Sequence, residues 1–454
     1  TTPSKGLAYI LLVFLIPGLG ILFYYIVGAN HRKSKLYKKK IKVDEQAYPE
    51  LEQLAIEYSN AIINGHKDSL DYFYPLANLL KDKYLISDNN KVELLINGEQ
   101  KFPKVLESLR QAKHHIHIEY YIYENDDIGN QIADILVEKA KAGVEVRFIY
   151  DDFGSRKIRK KKVEEMLAAG VEAFPFYKIN FIQFANRVNY RNHRKIIVID
   201  GIVGYIGGIN VSDRYINKGK NKLYWRDTHL KIEGTAALNL QLTFLTDWNF
   251  CSEQDISFST DYFPIDNDEI FDSRLVQIIT SGPDSDYQSI MYSYIKTILL
   301  AKQQLLITTP YFIPDKSFFD ALKIAALSGV DVKLLVPGVS DSWIVNTTSQ
   351  SYYEELLSAG IKLYKYNKGF VHAKTMVCDN KIAIVGTTNL DNRSFDLNFE
   401  INAIVYNADI ANELAAYFKK DLKYTEQITL AHWIKRPKHI QLAEKVLQLF
   451  SPLM

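Results

Sequence analysis

Two stretches of the chain carry residue types and spacing that could do chemistry. "NHRKIIVID", Asn192 to Asp200, sets a histidine, a lysine and an aspartate around an apolar run. Alternate side chains of a strand share a face, so His193 and Lys195 point the same way. The run Ile196 to Ile199 reads as a strand buried on both faces. A titratable ring and an ammonium projecting together from such a strand call for an anion. The device then recurs: "HAKTMVCDNKIAIVGTTNLDNR" aligns without a gap on "HRKIIVIDGIVGYIGGINVSDR". His193, Lys195, Asp200, Gly207, Asn210 and Arg214 fall on His372, Lys374, Asp379, Gly386, Asn389 and Arg393. Imidazoles and ammoniums gathered on one anionic group suit nucleophilic and acid–base work there.

The elements that must position these residues are duplicated too. "GNQIADILVEKAKAGVEVRFIYDDFG" reads as a helix, a Gly turn and a buried strand, and "EEMLAAGVEAFPFY" repeats the theme. "AKAGVEVRFIYD" matches "AALSGVDVKLLVP", pairing Gly143 with Gly329, and "AAGVEAFPFYK" matches "SAGIKLYKYNK", pairing Gly170 with Gly360. The alternation of helices and apolar strands predicts two α/β/α sandwich domains with mostly parallel sheets. The expected divisions are a membrane anchor and basic collar over 1–43, an N-terminal linker subdomain over 44–95, and a first α/β domain over 96–252. An inter-domain linker over 253–273, a second domain over 274–425 and a basic amphipathic segment over 426–454 follow.

The 454 residues are 47% hydrophobic and 24% charged with a net charge of +2, a balance that argues against a dedicated nucleic-acid binder. Cys251 and Cys378 form no metal or disulfide pattern and suit a reduced cytoplasm. From Gly6 to Asn30 there is no charged residue, enough for a transmembrane helix, with Pro17-Gly18 in its middle. "HRKSKLYKKKIK" follows with seven Lys/Arg residues, which places the body of the chain on the cytoplasmic side. The tail "HWIKRPKHIQLAEKVLQLFSPLM" reads either as a helix packed on its own domain or as one lying on anionic lipid. His114, His115 and His117 alternate along a strand and read as sheet-face histidines, since no second ligand cluster accompanies them. Glu119 reads as part of the active-site floor or of a buried salt bridge. "SRKIRKKK", Ser155 to Lys162, reads as a solvated basic face that could also grip anionic headgroups.

H-x-K-x(4)-D twice, each followed by Gly and Asn, resembles the phospholipase D superfamily, and the wider sequence resembles its bacterial cardiolipin synthase branch. "EYYIY", "DDFGS", "NYRNHRK", "GGIN", "YWRDTH", "TPYFIPD" and "GTTNLDNRSFDLNFE" carry the likeness over nearly the whole chain. The resemblance implies phospholipase D-type domains and a phosphohistidine on one imidazole, with the other as acid/base. It assigns His193 as nucleophile and His372 as acid/base, although the near symmetry of the halves does not order them. Lys195 and Lys374 are expected on the non-bridging oxygens, with Asn210 and Asn389 as further donors. Asp200 and Asp379, at strand ends, read as structural turn or lysine-orienting residues. The resemblance puts Glu400 as the orienting carboxylate of the second histidine and Asp227 as its counterpart in the first half.

The implied reaction joins two phosphatidylglycerol molecules into cardiolipin with release of glycerol, at a bacterial plasma membrane carrying anionic headgroups. It needs no divalent metal, no clustered ligand set stands out, and no cofactor is expected. One alternative is a membrane-associated phospholipase D or phosphodiesterase that lets water resolve the same intermediate. The other is a catalytically silent membrane-binding protein, against which two intact motifs argue.

Overall fold

The computed structural model describes residues 3–18, 49–79, 81–158, 160–177, 190–218, 223–252, 254–256, 259–264 and 271–453. Helix α1, Pro3–Leu15, ends just before Pro17, which lacks the N–H to continue it. No helix among the described residues is long and apolar enough to cross a membrane, and the expected N-terminal transmembrane helix falls within the described residues only as far as residue 18. The second part of the expected span and its basic collar lie outside the described residues.

The first half builds a seven-stranded sheet. Its strands are β1 (Asn90–Ile96), β2 (His115–Tyr120), β3 (Glu145–Tyr150), β4 (Glu172–Pro175), β5 (Lys195–Ile199), β6 (Val203–Gly207) and β7 (Thr228–Gly234). The second half contributes β8 (Leu275–Ser281), β9 (Gln304–Thr308), β10 (Asp331–Pro337), β11 (Lys362–Tyr366), β12 (Thr375–Cys378), β13 (Ile382–Gly386) and β14 (Glu400–Tyr406). The spatial orders are β1-β7-β6-β5-β2-β3-β4 and β8-β14-β13-β12-β9-β10-β11, so each strand repeats seven places later. Short strands Ile86–Ser87 and Thr425–Ile428 extend the two edges of the second sheet to nine strands. The first sheet begins at Asn90, ahead of the boundary expected at 96.

The sheets are mixed, not mostly parallel. Only β2-β3-β4 and β9-β10-β11 run parallel, each crossing over through a helix, and the remaining ladder pairings are antiparallel. The reason is local. β5 and β6 are joined by the tight Asp200-Gly201 turn, and β12 and β13 by Asp379-Asn380, and a tight turn permits only antiparallel neighbours.

The duplicated strands are buried on both faces, as their unbroken apolar runs require. Ile197 and Ile199 of β5 enter a core with Val105 and Leu109 of α2 (Asn97–Gln111) and Ile132 and Leu136 of α3 (Asp127–Lys141). Ile196 and Val198 face the other way, into a core shared with the second half: Val377, Val385, Ile401 and Ala403. Helices α4 (Ala236–Ser252) and α8 (Ala408–Leu422) add Leu240 and Leu414 to that shared core. The outer face of the second sheet packs on α5 (Ser289–Leu300) and α6 (Lys316–Leu327). Two backbone pairings stitch the halves together. Gly369–Val371 runs parallel to Tyr224–Arg226, and Asn192 bridges to Phe399.

Candidate active site

Those two stitches deliver the motif histidines. Asn192 precedes His193 and Phe399 precedes Glu400, while Val371 precedes His372 and Arg226 precedes Asp227. His193 N–H donates to Phe399 O at 2.9 Å, and His372 N–H to Arg226 O at 2.7 Å. Each histidine therefore meets the carboxylate of the opposite half. His193 Nδ1 lies 3.0 Å from both Glu400 oxygens, and His372 Nδ1 lies 2.7 Å from Asp227 Oδ2. The expected pairing is thereby exchanged: Glu400 serves His193 and Asp227 serves His372.

Both carboxylates are fully buried, and each histidine keeps only 8% exposure. Burial alone would raise Asp227, but His372, its hydrogen bond and Lys374 hold it below the ordinary carboxylate value. Burial is likewise outweighed at Glu400 by His193, Lys195 and the Thr387 hydroxyl, which donates at 2.5 Å. An ionised carboxylate only accepts, so Nδ1 carries the proton and Nε2 is the basic nitrogen of each neutral ring. Burial, against the pull of Glu400, keeps His193 below its usual value. Burial and then Lys374 push His372 down to about 3.

Lys195 and Lys374 are buried beside them, Nζ donating to His193 O at 2.7 Å and to His372 O at 2.5 Å. Burial depresses Lys195 to about 7, with Lys374 adding to the shift against Glu400, and depresses Lys374 to about 8 against Asp227 and Glu400. Each lysine thus senses carboxylates of both halves, which puts the two motifs at one junction. Tyr121 stands edge-on to His193 with centroids 4.9 Å apart, and Trp225 and Phe370 lie 5.7 and 5.9 Å from His372. The junction holds paired imidazoles, paired ammoniums and orienting carboxylates, a set suited to displacement at a phosphoryl centre.

The family model described as "Cardiolipin synthase, PLD-like domain" matches residues 105–238 and 294–422, one match per half and more than half of the chain in sum. The chain belongs to the cardiolipin synthase family. It is 44% identical over 455 residues to the cardiolipin synthase of Alkalihalophilus pseudofirmus, covering 100% of this chain and 89% of that one. It is 40% identical over 456 residues to the major cardiolipin synthase ClsA of Bacillus subtilis, covering 99% and 94%. Among solved structures it resembles the phosphatidylserine synthase of Haemophilus influenzae in fold, with a TM-score of 0.62 at 14% identity over 80% of this chain and 95% of that one.

In this cardiolipin synthase family member the motif aspartates lie far from the rings. Seven residues of extended chain at about 3.3 Å each put Asp200 roughly 20 Å from His193. Asp200 has φ 53° and accepts from the N–H groups of Lys113, His114 and His115 at 2.8–2.9 Å. Asp379, φ 51°, does the same for Lys302, Gln303 and Gln304 at 2.8 Å, and also accepts from Tyr72 Oη. Both bind the turn to the start of the neighbouring strand through backbone N–H groups.

Asn210 is engaged in the scaffold: Nδ2 donates to Tyr215 Oη at 2.7 Å and Oδ1 accepts from Ile122 N–H at 3.2 Å. Asn389 Oδ1 is buried without a hydrogen-bond partner among the described residues. Glu119 is buried next to the residue that precedes His193. It accepts from Asn192 Nδ2, and burial next to Asp247 raises its carboxyl well above the usual range, with Arg194 opposing. His115 and His117 are buried, and His117 stacks on Phe244 and bonds Gln241. The start of "SRKIRKKK" turns Lys157 onto Glu124 at 2.7 Å.

Sequence reasoning missed Thr387 and Gly208, which occupy equivalent positions in the duplicated motif. Thr387 bonds Glu400, while a Cβ on Gly208 would stand 2.2 Å from Asp227 Oδ1. The shorter carboxylate is seated against a glycine and the longer one against a hydroxyl. Gly208→Ala is expected to push Asp227 off His372 and lower kcat about 10–100-fold, in keeping with small misplacements of catalytic geometry. Steady-state kinetics on the purified variant check this.

Proposed function

We propose that this enzyme joins two phosphatidylglycerol molecules into cardiolipin and glycerol at the surface of an anionic bilayer. The exchanged histidine–carboxylate pairs around two buried lysines carry this reading, and the full-length likeness to cardiolipin synthases supports the choice of transfer over hydrolysis. Nε2 of His193 attacks phosphorus of the donor lipid as the bond to its headgroup glycerol breaks. His372 delivers a proton to the departing glycerol oxygen. The phosphatidyl group now sits on His193. His372, left neutral, takes the proton of the second lipid's glycerol hydroxyl, which attacks phosphorus, and the P–N bond breaks. Cardiolipin leaves and His193 is restored.

Charge balance explains how a ring depressed in the empty site becomes an acid. With both rings neutral and both lysines protonated, two ammoniums cancel two carboxylates. The phosphodiester adds one negative charge and offsets the Lys374 field that holds His372 down, so one proton on His372 restores neutrality. Lys195 and Lys374 take the non-bridging oxygens, with Asn389 and the remaining Nδ2 proton of Asn210 as further donors. The catalytic body works from the cytoplasmic side, where the basic collar would meet anionic headgroups.

Purified enzyme supplied with phosphatidylglycerol vesicles is expected to yield free glycerol and a four-chain lipid. After a rapid quench, mass spectrometry is expected to find a phosphatidyl adduct on the His193 peptide. Phosphatidic acid as sole product would instead establish the hydrolase reading, and an adduct on the His372 peptide would exchange the two roles.

A further inference from the structure

The C-terminal segment leaves more apolar surface uncovered than a helix that simply caps its own domain. Helix α9, Lys438–Gln448, buries a carboxylate beside the half-buried Ala443 and Leu447 and turns a second apolar edge to solvent. Glu444 is 3% exposed and held by both terminal nitrogens of Arg436, whose guanidinium lies 3.2 Å above the Trp433 ring. Two residues to either side, about 200° round the helix at about 3.6 residues per turn, Leu442 is 66% exposed and Val446 45%. Leu449, just past the last turn, continues the stripe at 54%. This surface is built, not a loose tail. Tyr352 Oη donates to Ser451 Oγ at 2.8 Å and Asn392 Nδ2 to Ser451 O at 3.0 Å, which fixes the far end of the segment.

Neighbouring elements packed against this segment expose apolar side chains as well. Helix α7, Trp343–Gln350, packs on α9 and exposes Trp343 at 69% and Ile344 beside it. Helix α1 packs on residues 451–453 and exposes Leu7, Ile10 and Phe14, one face at helical spacing. Exposed Lys435, Lys438, His439 and Lys445 flank the α9 stripe. The surface also leads toward the site. Asp341, two residues before Trp343, accepts from Tyr311 Oη at 2.6 Å; the Tyr311 ring lies 6.5 Å from Phe370, and Phe370 lies 5.9 Å from His372.

We propose that the apolar face of Trp343, Ile344, Leu442, Val446 and Leu449, flanked by Lys438 and Lys445, seats in the interface of an anionic bilayer and sets the His372 side of the junction against the lipid. This rests on the lipid-substrate reading above. Apolar side chains lying in the interface with a basic flank on anionic headgroups are the physical signature of an in-plane helix. Each basic residue held near such a surface adds attraction that falls off within a Debye length.

The full chain is mixed with phosphatidylglycerol vesicles carrying bromine on the acyl chains. The emission lost in Trp343→Phe is expected to be blue-shifted and quenched in the wild type. A Leu442→Ser/Val446→Ser/Leu449→Ser variant is expected to lose tenfold or more of its turnover on vesicles, with unchanged turnover of monomeric short-chain phosphatidylglycerol and unchanged Tm. Trp343 emission that ignores the vesicles would overturn the proposal, as would equal losses on both substrates. A dimer in detergent that the triple variant dissolves, without bromine quenching, would make the occupant a second copy of the chain and overturn it as well. Quenching of Trp343 by an enzyme that turns over no phosphatidylglycerol in any form would uphold the surface and refute the functional reading.

Discussion

Glu400→Gln is expected to lower kcat by about 10³–10⁴ while leaving KM nearly unchanged, the scale seen when a triad carboxylate is made an amide. Glu400 holds His193 Nδ1 from both oxygens and takes the Thr387 hydroxyl in addition. A glutamine of the same shape keeps the packing but offers an N–H toward Nδ1, which favours the tautomer with the proton on Nε2. That proton blocks the lone pair needed for attack on phosphorus. Because the side chain is isosteric, the thermal midpoint should move by only a few degrees, which separates a chemical loss from an unfolded protein. Asp227→Asn should lower turnover by a different route: an amide no longer stabilises the imidazolium that His372 must become to act as the acid. Turnover at the wild-type level in Glu400→Gln would remove the orienting role. The exchange of partners sharpens the test: Glu400→Gln should suppress the adduct on His193 even from a donor whose leaving group needs no proton, whereas a carboxylate serving only His372 would leave that adduct intact.

Removing either buried ammonium should cost about 10²–10³ in kcat/KM, the scale of losing one preorganised donor to a developing charge. The lysines also set a pH limit with a definite sign. Burial depresses Lys195 to about 7 and Lys374 to about 8, so in the free enzyme both are ammonium below this range and lose protons above it. The phosphodiester anion is bound by the protonated forms. The fall of kcat/KM with pH, begun at lower pH by the proton that His372 must take up with substrate, is therefore expected to steepen through 7–8, by up to about tenfold more per unit while one lysine must be protonated. Lys374 is one of the groups depressing Lys195, so in Lys374→Met the residual activity should keep its alkaline limb to a higher pH. A flat profile to pH 10 in the wild type would show that the bound anion never meets these ammoniums.

The duplication was legible because it is written in local pattern. Gly143 against Gly329 and Gly170 against Gly360 sit at left-handed turns with φ between 89° and 95°, where a side chain is strained, so the turn chemistry survives in both copies. The strand Ile196 to Ile199 was legible as doubly buried because nothing polar interrupts it. The predominance of parallel pairing was misjudged for an equally physical reason. Alternating helices and strands describe β2-β3-β4 well, but the turn residues after β5 and β12 bring their strands back antiparallel. In the N-terminal apolar run, Pro17 ends α1 after Leu15, whatever the hydropathy of the residues beyond.

The sequence by itself determined the chemistry available: which side chains share a face of each motif strand, that the set occurs twice, and that its residues suit a phosphoryl group. Periodicity of two along a strand is a local property, readable without knowing what lies opposite. Only the tertiary structure decided the partners. Which carboxylate reaches which imidazole depends on how two halves, more than 200 residues apart in the pairing of His193 with Glu400, dock through the pairings at Asn192 and Gly369–Val371. No local pattern encodes that docking, since it arises from two apolar sheet faces burying each other.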